Sequence, residues 1–417
     1  MISEVSSAGS NHLVAHAPTD LLLRLPDERP PEGQTVAPAM MPDGAAMPLR
    51  VTRLTVADYA GMGEAFADLA RRASRPNPLM SPAAVKAVAQ VLREADIVVL
   101  VATCAQPAGQ SQREQLQGVW VLRRRRTLWS LGAEVLETPA RPAYDNISDP
   151  VLDAALPGQV MAAFASHLRA CPDLPKVIRA TNWPRDLDAT LPADVQISRE
   201  ESWQRAMLMP EGKPDAEAYL RAAMGRNYRI RSKRLADLDA QGTVSLVSLR
   251  GDAAVSGLEA YIALEARGWK GRAGTALANE PDGQRYFRAI IASLAASDQI
   301  AVDQIRLDDK PIAIGLAIEA DGHSMLWKTT FDEDFARFGP GMLLNMVVTR
   351  RLFATGRASL DSGMTEFSSP DLMPWSERRA MARATLDLGA GLAGHAERLG
   401  AGFRHRLRRL VRRLRRS

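Results

Sequence analysis

The sequence predicts an α/β (α+β) protein in which a mixed, mainly antiparallel sheet flanked by helices occurs twice in tandem. Three observations predict it. Strand-like apolar runs gather into two meanders of three, at residues 96–136 and 300–332. Each meander follows helical periodicity and precedes a loop, a helix and a further strand. With 417 residues there is room for two cores of ordinary size.

Residues 1–48, rich in Ala, Pro, Gly and Ser, read as a disordered leader. The first unit spans 49–205. Val51–Arg72 and Ser81–Glu94 have helical periodicity, and Ser81-Pro82 supplies a cap and a first-turn proline. DIVVLVAT, LQGVWVLR and TLWSLGAEVL then read as strands, with Arg123–Arg126 as a solvated hairpin tip. Gly158–Ala170 reads as a helix and 176–181 as a strand. The second unit spans 206–398. It opens with a basic helical region, Asp215–Ala240, and the strand 244–249. Helices at 255–266 and 283–296 lead into the second meander, turned at Asp309-Lys310-Pro311 and at Asp321-Gly322. Pro340–Ala354 is the next helix, and 358–363 and 384–389 are the last strands.

An apolar fraction of 46% with 24% charged residues is that of a folded protein. The net charge of +5 is a tail effect. Eight arginines fall between Arg404 and Ser417, and without them the remainder carries −3. A mildly acidic body argues against specific nucleic-acid binding. Cys104 and Cys171 are too far apart to read as a metal or disulfide framework, which fits a cytoplasmic protein, and no metal is expected. No apolar run approaches the roughly 20 residues of a membrane span, and no signal peptide is read. In the tail, 399–417, Phe403, Leu407, Leu410, Val411 and Leu414 share one helical stripe among arginines. That pattern predicts peripheral contact with anionic lipid at the inner membrane face; a basic tail without structure, or one that binds nucleic acid non-specifically, is the alternative.

The most informative stretch is TTFDEDFARFGPGMLLNMVV, 329–348. Proline at the first helical position loses no hydrogen bond, and flanking glycines allow close approach to the backbone. The amides of Gly341, Met342 and Leu343 are expected to be unpaired at the positive end of the helix, an anion seat suited to a pyrophosphate. The plainer alternative is a tight turn before a buried helix.

Several segments together resemble the GNAT acetyltransferase superfamily, and within it the branch called CelD-like after a cellulose-biosynthesis protein. They are Lys310-Pro311-Ile312-Ala313, Phe331-Asp332, Gly339-Pro340-Gly341-Met342-Leu343-Leu344 and Asp361-Ser362-Gly363, with LEARGWKGRAGTAL and RNYRIRSKRLADLDAQG upstream. The tandem arrangement is similar to that of the Fem peptidyltransferases. Arg337-Phe338-Gly339-Pro340-Gly341 is one residue shorter than the commoner superfamily loop. The resemblance implies two GNAT-like domains, the second binding acetyl-CoA as co-substrate and the first shaping the acceptor cleft. It implies a cofactor seat at Arg337, Phe338, Gly339, Pro340, Gly341, Met342 and Leu343. The reaction it implies is N- or O-acyl transfer to a small-molecule or glycan acceptor, in polysaccharide or cell-envelope synthesis.

Catalysis would rest on positioning and a base. Asp332 is the first candidate base, against a loop-capping role, and Asp361 either orients the acceptor or holds the Ser362-Gly363 turn. Trp269, otherwise a core residue, and Lys328 are candidate acceptor contacts. His323 and Lys328 are five residues apart on one strand, so opposite faces are expected. Glu366 is a further acid. The basic residues between Arg226 and Arg234 are a solvated face or a phosphate contact. Two other readings use the same residues: a non-catalytic module that binds a partner or membrane in polysaccharide assembly, and a Fem-like transferase using aminoacyl-tRNA.

Overall fold

Runs of β-branched residues without interior proline form the first strands, and loop prolines and glycines separate them. The computed structural model describes residues 13–16, 49–105, 114–126, 132–138, 148–365, 372–389, 391 and 400. Glu366, the tail beyond residue 400, the start of the third predicted strand (127–131) and nearly all of the leader lie outside them. Within the leader, β1 (Leu13–His16) pairs antiparallel with a strand of the second half.

In the first half β2 (Arg50–Leu54), α1 (Val56–Ala60) and α2 (Gly63–Arg72) replace the single helix expected over 51–72. Arg50–Leu54 pairs antiparallel with β3 (Ile97–Ala105), so long-range pairing overrides helical periodicity there. Ser81 caps α3 (Pro82–Ala89) through Oγ, which accepts from the Ala84 N–H at 3.2 Å. β4 (Glu114–Arg126) runs straight through the four arginines, which are strand and not a hairpin tip. Glu137 and Glu134 on β5 (Glu134–Glu137) accept from them across the ladder. β6 (Val151–Leu152), α4 (Pro157–Ala170) and β7 (Val177–Pro184) complete this half, with β5 and β7 parallel.

The second half repeats the order. β8 (Gln196–Leu208), α5 (Ala216–Met224) and α6 (Arg226–Asp239) precede β9 (Val244–Leu249), α7 (Asp252–Arg267), the short α8 (Trp269–Arg272) and α9 (Pro281–Ala296). The meander is β10 (Ile300–Leu307), β11 (Lys310–Ala320) and β12 (His323–Phe331), followed by α10 (Pro340–Ala354), β13 (Ser359–Asp361) and β14 (Glu377–Asp387). β12 and β13 are parallel across α10, as β5 and β7 are across α4.

All these strands join in one mixed sheet flanked by helices. Its order is β1-β9-β10-β11-β12-β13-β8-β14-β7-β5-β4-β3-β2, with β6 on β4. The middle is shared: β8 pairs with β13 and β14, and β14 also pairs with β7. The boundary expected between residues 205 and 206 therefore falls inside β8. Over the second half, α7 and α9 cover one face and pack on the same core as α3, whereas α5, α6 and α10 cover the other. Among the described residues no helix is long and apolar enough to cross a membrane.

A buried ion network fixes α10 on the sheet. Glu319 of β11, 1% exposed, accepts from Arg351 at 2.6 Å, from Arg357 at 2.6 Å and from Arg250, and Arg351 also donates to Asp303 at 2.9 Å. Burial opposes ionisation of Glu319, but the three guanidiniums prevail and hold its pKa at about 2. The depressed pKa makes this contribution complete above the ordinary carboxylate pKa and lost as pH falls toward 2. About 2 kcal/mol of unfolding free energy should be gone by about pH 3, relative to neutral pH, through this group. Glu319→Gln should flatten that acid limb in urea titrations; an unchanged limb would show that other carboxylates carry it.

Candidate functional site

The site begins with a fault in strand pairing. β12 pairs with β13 only at His323–Met325, opposite Ser359–Asp361. Beyond Met325 the ladder between β12 and β13 stops, and past β13 the Ser362 N–H bonds to the Ala206 carbonyl of β8 at 3.0 Å. The two strands diverge and leave a wedge through the sheet.

A β-bulge lies at the mouth of the wedge. Leu316 of β11 faces Lys328 and Ala317 faces Leu326, so Trp327 is the extra residue. A bulge breaks the alternation of side chains. His323, Met325 and Trp327 share the α7/α9 face, and Lys328 joins them there, opposite Leu316 and over the Phe287 ring at 6.0 Å. The expectation that His323 and Lys328 take opposite faces is thus overturned by the bulge between them.

Lys328 belongs to a polar cluster inside that layer. Glu265 accepts from Lys270 Nζ at 2.6 Å, from Tyr261 Oη at 2.8 Å and from the Leu277 N–H at 2.8 Å. Burial, and next the charge of Lys270, lower the Lys328 pKa to about 8 against the opposing pull of Glu265 and Glu280.

On the opposite face, α10 opens where the sequence places it. Gly339 is left-handed, φ 69° and ψ 51°, and Pro340 takes the first helical position. The expected row of unpaired amides shortens to one. The Met342 and Leu343 N–H groups both donate to the Gly339 carbonyl, at 3.0 and 3.1 Å, so Gly341 alone keeps a free first-turn N–H among the described residues. Phe338 and Leu343 are buried in the core beneath α10, and Pro340 is buried at its first turn. Arg337 is turned aside, donating to Gln241 Oε1 at 3.2 Å and lying over the Phe338 ring at 4.7 Å.

The positive charge at this entrance comes instead from α6. Arg226, Arg229 and Lys233 are exposed, but Arg231 and Arg234, three residues apart, are half-buried over the turn. A Cβ on Gly339 would lie 2.5 Å from Arg231 Nη1 and 3.4 Å from Arg234 Nη1. Neither guanidinium has a carboxylate partner among the described residues. Burial, and then the charge of Arg234, lower the Arg231 pKa. Two uncompensated guanidiniums, a left-handed glycine and a free helix-start amide form an anion seat. The first half has a counterpart turn at Leu156-Pro157-Gly158, but leucine replaces the left-handed glycine there.

The other expected site residues take structural posts. Asp332 Oδ1 accepts from the Asp334 N–H at 3.2 Å, and Oδ2 pairs with Lys310 at 3.3 Å and Arg267 at 4.0 Å. This is the loop-capping role. Asp361 Oδ1 accepts from the Gly363 N–H at 2.8 Å and Oδ2 from Arg379 at 2.9 Å, which holds the turn at the root of the wedge. Trp269 is not core: it is 59% exposed, and its N–H donates to Glu333 Oε1 at 2.6 Å. Arg272 donates to the other Glu333 oxygen at 2.6 Å, tying the α7–α9 connection to the loop before α10. Arg205, Arg379 and Asp149 gather behind the wedge without any local signal in the sequence.

Wedge, bulge and basic helix entrance thus lie together in the second half of an α/β module with one mixed sheet. Residues 223–368 match the family model described as an acetyltransferase (GNAT) domain, which supports acyl transfer in general. No curated protein matches the chain. Among solved structures, a conserved protein of unknown function from Bacteroides thetaiotaomicron is 9% identical at a TM-score of 0.49, over 82% of this chain and 99% of that one. FemX is 10% identical at 0.48, over 81% and 97%. A tandem GNAT protein from the clavulanic acid biosynthesis pathway is 12% identical at 0.42, over 82% and 99%.

Proposed function

We propose that the chain is an acyl-CoA-dependent acyltransferase that uses acetyl-CoA and an amine or hydroxyl acceptor. The observation that carries this reading is the anion seat at Gly339, Gly341, Arg231 and Arg234, set beside the wedge where β12 and β13 part. The residues fit the group: the two guanidiniums and the Gly341 N–H suit a pyrophosphate, and the parting of β12 from β13 leaves room for an amide-bearing arm. When bound, acetyl-CoA supplies an electrophilic thioester carbonyl. The chain's own part is to orient the acceptor, exclude water and take up its proton. Lys328 is the base this reading favours, because Asp332 is committed to Lys310, Arg267 and its own loop. A polysaccharide or envelope setting rests on the CelD-like resemblance alone.

Calorimetric titration tests the reading directly. Acetyl-CoA should bind the full chain and raise its melting temperature, with about 2.7 kcal/mol of stabilisation at a hundredfold excess over Kd. No heat and no protection at roughly millimolar ligand would overturn it.

Residues 399–417 carry a separate proposal, peripheral attachment to anionic membrane. The full chain should co-sediment with phosphatidylserine vesicles at low salt, and a chain ending at residue 398 should not. Equal sedimentation of the two would exclude the tail.

A further inference from the structure

On the face of the sheet opposite the anion seat, a shallow open cleft lies between the two halves. Methionines, Met325 among them, line its apolar part, and its polar part is a cluster of charged groups from both halves. Arg75 and Asp149 come from the first half, Arg205 from the shared strand β8, and His323, Asp361 and Arg379 from the second.

Arg379 is central. Its Nη1 donates to Asp361, and its charge acts on both Asp149 and His323. Its Nε and Nη2 have no partner among the described residues. Arg205, 2% exposed, is held by the Met364 carbonyl at 2.9 Å and Asn182 Oδ1 at 3.1 Å, so it contributes charge from beneath. Asp149 is 4% exposed, and its carboxylate has one side-chain contact among the described residues, Arg75 Nε at 3.5 Å. Burial pushes the Asp149 pKa up despite three nearby guanidiniums. His323 Nδ1 sits 2.8 Å from Ser359 Oγ, and burial and Arg379 favour its neutral form. Three guanidiniums therefore face Asp149 and Asp361 in a partly dry cleft, with Asp186 pairing Arg75 Nη1 at 3.0 Å and Arg379 keeping two unspent donors. A planar oxyanion would meet the free edge of Arg379.

We infer that this cleft takes an oxyanion of the acceptor, a carboxylate or a phosphate, with Arg379 as its principal ligand and Arg75 as the second. The word acceptor rests on the acyl-transfer reading; the oxyanion site does not. Met325 ends the ladder of β12 with β13, three residues before Lys328, so the cleft comes within roughly 10 Å of the bulge on the same face. The acceptor would then hold its nucleophile about that far from its anionic group.

Inorganic phosphate and succinate are the probes, titrated into the full chain by calorimetry. At least one should bind, about tenfold more weakly in Arg379→Gln and about threefold more weakly in Arg75→Gln, with the exposed Arg288→Gln, far from both sites, unchanged. A preference for phosphate points to a phosphorylated acceptor and a preference for succinate to a carboxylate. Equal binding by Arg379→Gln and wild type, loss in Arg231→Gln alone, or no binding of either probe at roughly 10 mM overturns the inference. Arg379→Lys keeps the charge and should recover part of the affinity if Arg379→Gln proves unstable. Acetyl-CoA affinity, measured on the same proteins, should not change in Arg379→Gln. If wild type binds the probes and not acetyl-CoA, the acyl-transfer reading falls while the oxyanion site stands.

Discussion

Replacing Arg231 and Arg234 together by glutamine is expected to weaken acetyl-CoA binding about 100-fold without loss of folded stability. A charge-assisted contact to a phosphate oxygen is worth about 1.5–3 kcal/mol, and half exposure argues for the lower end. Two such contacts give roughly 2.7 kcal/mol, or two decades in Kd. The fold should tolerate the change because the pair has no carboxylate partner among the described residues and each guanidinium repels the other. Gly339→Ala should also abolish binding, for a different reason. Its Cβ would displace Arg231 Nη1, and the left-handed backbone would cost about 1–2 kcal/mol. The glycine variant therefore loses stability together with affinity, whereas the arginine variant loses affinity alone. Added salt should weaken wild-type binding and leave the double variant almost unaffected. Wild-type affinity in Arg231→Gln/Arg234→Gln would move the donor seat elsewhere.

This contrast shows what could be read in the sequence. Gly339-Pro340-Gly341 was legible because its geometry is local: proline fixes one dihedral and glycine permits the left-handed one. Both three-stranded meanders and the repeated order of elements were legible for the same kind of reason. The arginines that complete the seat were visible only as a basic helix. Packing of α6 on α10 separates Arg231 and Arg234 from Arg226, Arg229 and Lys233, and no spacing rule does so. The face of Lys328 was misread because a bulge adds one residue to one strand and leaves no mark in composition. The cleft was the least legible part. Arg379 and Arg205 reach Asp149 only because β14 and β8 cross into the middle of a shared sheet, pairing residues more than 170 positions apart.

The same bulge sets up the largest expected effect on turnover. Lys328→Met should lower kcat by about 10³, within the range ascribed to a positioned general base. Once an acceptor is in hand, thiol release against pH should give a rising limb in wild type, because only the neutral amine can take the acceptor's proton. With the Lys328 pKa lowered to about 8, roughly a tenth of the enzyme is in the active form at neutral pH, and the rate should climb severalfold by pH 8. Lys328→Arg separates the base from the positive charge. Arginine keeps the cation over Phe287 but stays protonated, so it should be as slow as methionine and lose the rising limb. A measurement that needs no acceptor tests the premise. Trace labelling with acetic anhydride should show Lys328 reacting with a midpoint near 8, about two units below an exposed lysine. Lys270→Met removes the like charge that assists burial and should raise that midpoint, slowing the enzyme at neutral pH and leaving the high-pH plateau in place. Full kcat in Lys328→Met with the rising limb intact would return the proton transfer to another group on the same face, and His323 is the titratable side chain the alternation of β12 places there.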